Sequence, residues 1–213
     1  MIDLHTHTLF SDGELIPAEL TRRAATIGYK AIAMTDHGDL TNIDLIIPRL
    51  LRVADDLSEQ WGLKVIVGIE LTHVPPAQFA SAAAEARKLG ADIVVAHGET
   101  IVEPVASGTN RAAIEAGIDI LSHPGMISDE DTALAVKNNV CLEITTRKGH
   151  SLTNGHVVQM ARKHGAKLVV NNDAHAPGDL LSPEMMRQVA LGAGMSEDEY
   201  KQALANSGKL AGI

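Results

Sequence analysis

His5 and His7 lie two apart in the stretch Ile2-Asp3-Leu4-His5-Thr6-His7-Thr8, and Asp12 follows in the turn Ser11-Asp12-Gly13. Side chains alternate along a strand, so the two imidazoles share a face and can offer neutral ring nitrogens to one divalent ion. Similar groups recur as Asp36-His37-Gly38, Gly68-Ile69-Glu70, His97, His123 before Pro124, and Asp173-Ala174-His175. Each follows an apolar run. A single histidine in that position is ordinarily a hydrogen-bonded cap; it is the recurrence that argues for a metal centre. Nitrogen and oxygen donors without cysteine suit Zn, Mn or Fe better than Mg or Ca.

The elements that must carry these residues follow a repeating pattern. Strands are expected at Ile2 onward, Ala31–His37, Lys64–Glu70, Asp92–Gly98, Asp119–His123, Val140–Thr146 and Lys167–Asn172. Helical periodicity separates them. Pro17 opens the first helix, Pro48 is an uncomfortable member of a long helix over Asn42–Trp61, Ser128 caps another, and two helices over Pro183–Gly192 and Ser196–Asn206 close the chain. Strand-then-helix units without a break in composition predict an α/β fold, a seven-stranded relative of the (β/α) barrel, built as one domain over residues 1–213. In such a barrel the active site forms at the C-terminal ends of the strands, where these residues fall.

Composition agrees. Hydrophobic residues make up 45% and aromatics only 2%, so the core is aliphatic, as buried parallel strands require. The net charge of −9 argues against a broad nucleic-acid or anionic-membrane surface, and few aromatics leave few platforms for base stacking. Cys141, the single cysteine, lies in the apolar run Val140-Cys141-Leu142, so no intrachain disulfide forms and an inert buried thiol is expected. A candidate ligand as early as His5 leaves no room for a cleaved signal peptide. With no apolar run of membrane-spanning length, a cytoplasmic protein is expected.

Taken together, His5-Thr6-His7-Thr8 with Ser11-Asp12-Gly13, Thr35-Asp36-His37-Gly38, Gly68-Ile69-Glu70, His97, Ser122-His123-Pro124-Gly125 and Asn172-Asp173-Ala174-His175 resemble the polymerase and histidinol phosphatase (PHP) family. The resemblance implies a trinuclear centre of divalent transition-metal ions in a distorted seven-stranded barrel. His5, His7, Glu70 and Asp173 would hold one ion, Asp12, His37 and His175 a second, and Glu70, His97 and His123 a third, with Glu70 bridging. None of the nine positions departs from the family pattern.

The loop after the sixth strand, Thr145-Thr146-Arg147-Lys148-Gly149-His150, carries no ligand and is rich in positive charge. Arg147, Lys148 and His150 are therefore the candidates for binding a substrate phosphate, with a solvated charged loop as the plainer reading. His73, His156 and His164 fit no ligand position. The expected reaction is hydrolysis of a small phosphomonoester, of a histidinol, nucleotide or sugar type, by a metal-activated water; the sequence identifies no catalytic acid. The alternatives are a phosphodiesterase or exonuclease acting on nucleic-acid ends, and a noncatalytic metal-binding module.

Overall fold

The expected strands pair side by side and in parallel in a computed structural model that describes residues 1–213. In chain order the elements are β1 (Ile2–Asp3), α1 (Pro17–Ile27), β2 (Ala31–Met34), β3 (His37–Gly38), α2 (Ile43–Trp61), β4 (Lys64–Leu71), α3 (Phe79–Lys88), β5 (Ile93–His97), α4 (Thr109–Glu115), β6 (Ile120–Ser122), α5 (Asp129–Lys137), β7 (Cys141–Thr145), α6 (Asn154–His164), β8 (Leu168–Asn171), α7 (Pro183–Gly192) and α8 (Glu197–Ala211). The sheet order is β1-β2-β4-β5-β6-β7-β8, with the short β3 continuing the line of β2 and pairing with β4 through His37 opposite Glu70. This is a nearly closed barrel of seven parallel staves, as expected. Its seam is joined above β1 and β8, where His7 N donates to Ala174 O at 2.8 Å and Asp173 N donates to His5 O at 3.0 Å.

Two hydrophobic cores follow from the alternation of side chains. The outer core, between barrel and helices, contains Ile32, Val67, Ile69, Val94, Leu121, Leu142 and Val170, packed with helix residues such as Leu20, Ile47 and Phe79. The inner core, inside the barrel, contains Ile2, Leu4, Ala31, Ala33, Ile66, Ile93, Val95, Ile120, Cys141 and Val169. Ala211, at the end of α8, joins this inner cluster, so α8 runs past the expected Asn206 to help close the barrel. Cys141 is buried there, and burial pushes its thiol up to about 11, which makes it inert at neutral pH. Gly68 has a steric reason: a Cβ would lie 2.6 Å from the Ile93 carbonyl oxygen, so only glycine lets β4 and β5 approach.

Stepping by twos from this apolar layer gives Glu70 above Ile66, His97 above Val95, Ser122 above Ile120, Glu143 above Cys141 and Asn171 above Val169. The barrel is thus apolar below and polar at its C-terminal end.

The first strand departs from the expected regular alternation. Its pairing covers only Ile2 and Asp3, and both Leu4 and His5 turn inward, so the phase changes between them. Asp3 stabilises the change: Oδ1 accepts from His5 N and Asn172 N, each at 3.2 Å, and Oδ2 accepts from Asn172 Nδ2 at 2.8 Å. The expected second strand also breaks, at Thr35-Asp36, because Asp36 accepts hydrogen bonds from Thr8 N (2.7 Å) and Ser11 N (3.1 Å) and so ties down the turn that carries Asp12. Pro48 neither splits nor interrupts α2. The residue whose carbonyl loses its helical donor, Asp44, is exposed, so water can replace the bond. No helix is long and apolar enough to cross a membrane.

Burial raises the Asp3 carboxyl to about 7 from 3.8. Folded protein then binds a proton that unfolded protein lacks, so this contribution is present below about pH 3.8 and is lost as pH rises through about 7. In metal-free protein, the stability of wild type relative to Asp3→Asn should decline over that window in urea titrations. A difference that does not change with pH contradicts this reading of the phase change.

Candidate metal centre

His5 is completely buried, and its Nδ1–H donates to Glu143 Oε2 at 2.8 Å. Glu143 Oε2 also accepts from Asn171 Nδ2 at 2.8 Å, while Asn171 Oδ1 accepts from Leu4 N at 3.0 Å. The ring is therefore fixed in orientation, with Nδ1 committed to Glu143 and Nε2 facing the open end of the barrel. The same device recurs. His175 Nδ1–H donates to Asp173 O at 3.0 Å, and His97 Nδ1–H to Gly98 O at 3.2 Å. His37 Nδ1 lies 2.6 Å from Thr72 Oγ1 and 2.7 Å from Glu70 Oε2. Each of these rings keeps Nε2 for another partner.

The donor atoms converge at distances that suit a shared cation. His5 Nε2 lies 3.3 Å from Glu70 Oε1 and 3.5 Å from Asp173 Oδ1, and His7 Nε2 lies 3.1 Å from Asp173 Oδ1. His123 Nε2 is 3.6 Å from both Glu70 Oε1 and Asp173 Oδ2. At the rim, Asp12 Oδ1 is 3.4 Å from His37 Nε2 and 3.3 Å from His175 Nε2. Direct charge-assisted hydrogen bonds would be about 2.7–2.9 Å. Ligands held at about 2.0–2.2 Å around a tetrahedral ion lie about 3.3–3.6 Å apart. Three overlapping groups result: His7, Asp12, His37 and His175; His5, His123 and Asp173; and His5, His7 and Glu70. Moreover, His5 Nε2, both ring nitrogens of His7, and His123 Nδ1 are buried without a hydrogen-bond partner. Such orphaned donors and lone pairs are costly unless something else engages them.

Backbone strain is concentrated here too. His73, His123 and Asp173 have φ of 52°, 25° and 54°, in the left-handed region that non-glycine residues avoid. The turn after His7 is equally constrained, because a Cβ on Gly13 would lie 2.4 Å from His7 O.

Electrostatics divides the cluster. Burial opposes charge on Glu70, but His5 and His37 hold its carboxyl well below the usual range. Burial likewise opposes charge on Asp173, and His5 and His7 hold it low. His5 is pushed well above its ordinary value, despite burial, by Glu143, Asp173 and Glu70. Burial pushes His7 down to about 3 and lowers His123 strongly, so both rings are neutral and available as ligands at pH 7.

Arg147, expected over the site, reaches it: Nε lies 3.9 Å from Asp173 Oδ2, and NH1 donates to Asp179 Oδ2 at 3.3 Å. Arg147, Lys148 and His150 line a cleft of about 410 Å³ together with Glu103 and Asp179. His150 is not a solvated loop residue. It is buried, stacks on His123 at 4.1 Å, and pairs Nδ1 with Thr100 Oγ1 at 2.8 Å. Four contributors escaped sequence reasoning. Glu143 sits two residues above Cys141, a spacing that could have found it; Asp179, Glu103 and His73 lie in loops whose course no periodicity encodes. His156 and His164 lie elsewhere, the first 2.8 Å from Ile127 O and the second 2.6 Å from Asp129 Oδ1.

The model of the family described as the PHP domain matches residues 3–164, and the chain belongs to that family. An uncharacterized protein of Methanocaldococcus jannaschii is 48% identical over 95% of this chain and 94% of its own length. A ribonuclease P protein component 3 of Methanosarcina barkeri is 28% identical over 91% of this chain and 81% of its own. Among solved structures, histidinol phosphate phosphatase from Lactococcus lactis, complexed with zinc, L-histidinol and phosphate, superposes with a TM-score of 0.65 at 16% identity, covering 92% of this chain and 94% of that one.

Ion binding to the folded cluster stabilises the protein, by about 2.7 kcal/mol at one hundred times the dissociation constant. Adding Zn or Mn to chelator-stripped protein should therefore raise its melting temperature. Glu70→Ala should lose most of this increase, whereas His156→Ala, outside the cluster, should keep it. Equal metal-induced shifts in wild type and Glu70→Ala would count against the assignment.

Proposed function

We propose that this chain is a metal-dependent phosphoesterase that hydrolyses small phosphomonoesters. The observation that carries the reading is the juxtaposition of a buried imidazole–carboxylate cluster with a guanidinium at its edge, Arg147 Nε lying 3.9 Å from Asp173 Oδ2 while Arg147 itself lines the neighbouring cleft. The proposed metal ligands are His5, His7, Asp12, His37, Glu70, His97, His123, Asp173 and His175, for up to three ions. Zn, Mn and Fe all suit this donor set. Bound ions supply Lewis acidity toward phosphoryl oxygens and an activated water at neutral pH.

The remaining work falls to the chain's own groups. Asp179 Oδ2 accepts from the backbone N–H groups of His175 and Ala176, at 3.0 and 2.9 Å, as well as from Arg147. It therefore anchors the guanidinium beside Asp173 rather than leaving it free in solvent. From there Arg147 can donate to nonbridging phosphate oxygens, and Lys148 adds a second positive charge to the same cleft. His150, held by Thr100, forms the inner wall. A phosphodiesterase acting on nucleic-acid ends is the second reading, supported by the kinship with a protein named for ribonuclease P. The charge of −9 and the single tryptophan and two tyrosines favour the small monoester.

Purified protein should hydrolyse p-nitrophenyl phosphate, lose activity on chelation and regain it with metal. If a bis-aryl phosphate or a single-stranded oligonucleotide is turned over far faster than every monoester tried, the diesterase reading replaces this one.

Each charge-assisted hydrogen bond from Arg147 is worth about 1.5–3 kcal/mol, so Arg147→Ala should lower kcat/KM roughly 10- to 150-fold with metal content unchanged. Arg147→Lys should recover part of the loss, because the charge remains while the fork is gone. Values within about twofold of wild type for both variants would leave the phosphate without this clamp.

A further inference from the structure

We propose that His73, His97 and Glu103 hold a divalent transition-metal ion, displaced toward the cleft from the position that the family resemblance assigns to His97. The three residues come from different segments. His73 follows β4, His97 ends β5, and Glu103 lies in the loop beyond it. Their donor atoms all fall within 4.8 Å of one another.

The orientation of His97 is the central observation. Its Nδ1–H is engaged by Gly98 O, so Nε2 is the nitrogen left to bind a cation. That atom faces Glu103 Oε2 at 3.2 Å, and the resemblance would instead turn it toward Glu70. His73 Nε2 approaches the same oxygen at 3.3 Å, and the His73 and His97 rings are 5.2 Å apart. Both donor separations are close to the edge of a tetrahedron with bonds of about 2.0–2.1 Å, and longer than direct charge-assisted hydrogen bonds of about 2.7–2.9 Å.

Two further features hold the arrangement. Glu103 Oε1 lies 3.3 Å from His150 Nε2, and His150 is itself fixed through Thr100, so the carboxylate is oriented by a buried neighbour in the manner of outer-sphere partners at metal sites. His73 keeps a left-handed backbone with φ of 52°, a strained conformation for histidine that brings its ring over His97. Two imidazoles and one carboxylate, with no thiolate, suit Zn, Mn or Fe. Three protein ligands leave one position open, and Glu103 borders the cleft that contains Arg147 and Lys148. The inference concerns ion binding alone and holds whether or not the phosphoesterase reading does.

The test is equilibrium dialysis of the full chain, stripped with chelator and reloaded with Zn, followed by elemental analysis. Glu103→Gln, a near-isosteric change at a partly exposed side chain, and His73→Ala should each bind one Zn fewer per chain than wild type, matching His97→Ala. Co-loaded protein should show a corresponding loss of the visible absorption of tetrahedral Co. Wild-type stoichiometry in both Glu103→Gln and His73→Ala, with one ion lost only in His97→Ala, would overturn the proposal and return His97 to the Glu70 side. His5→Ala reports on the inner cluster separately: an unchanged ion count there counts against the inner centre and leaves the outer site standing.

Discussion

Buried negative charge is the constraint that the rest of this structure answers to. Glu70 and Glu143 are wholly buried and Asp173 nearly so, at the open end of a barrel whose interior is otherwise aliphatic. A carboxylate in such a place is costly unless it is paired and hydrogen-bonded. Every stave end near these carboxylates accordingly presents an imidazole, an amide or a hydroxyl: His5 and Asn171 on Glu143, Ser122 and His37 on Glu70, His7 on Asp173. The imidazoles do not complete the balance. His5 and His37 are pushed toward the cationic form, while burial pushes His7 and His123 the other way. Divalent cations, in the function proposed above, would supply the missing positive charge and could engage orphaned ring nitrogens at the same time.

Meeting that constraint shapes the backbone. The change of phase between Leu4 and His5 lets one short strand place Leu4 in the apolar layer and His5 directly above it. Asp3, outside the barrel lining, satisfies the donors that the irregularity exposes. Left-handed conformations at His123 and Asp173 turn those side chains into the cluster. Strain and buried charge at the C-terminal end are offset by two continuous hydrophobic cores, with Ala211 of α8 packed into the inner one. The division of labour is that of a barrel in which one end provides stability and the other chemistry.

Much of this was legible in the sequence because the signals were periodic. Aliphatic runs separated by helical spacing pointed to the parallel barrel, and a histidine or carboxylate at the end of every run but the sixth pointed to where the polar cluster would lie. Helix limits marked by Pro17 and Ser128 were equally readable. What escaped detection depends on loops and on departures from periodicity. The regular strand expected through Thr8 is bent by the Asp3 side chain, and the break at Asp36 reflects hydrogen bonds to a turn 25 and 28 residues away in the chain. Glu103 and His73 meet His97 only because two loops fold over the same stave. His150 was placed in the right loop, but its burial against His123 follows from the course of that loop. Pro48 looked like a break and is not, since the carbonyl that it deprives belongs to a residue on the watery side of α2.

The geometry and the orphaned ring nitrogens favour a metal centre over a set of buried ion pairs. The most direct measurement is anomalous diffraction at the zinc edge from crystals of the chelator-stripped protein reloaded with zinc. Anomalous peaks are expected on both sides of Glu70, one of them within about 2.0–2.2 Å of His5 Nε2 and an Asp173 oxygen. A folded, zinc-exposed protein with no peak at bonding distance from Glu70 or Asp173, and with the His5 and His7 Nε2 atoms closed onto those carboxylates at ordinary hydrogen-bond length, would contradict a metal centre here.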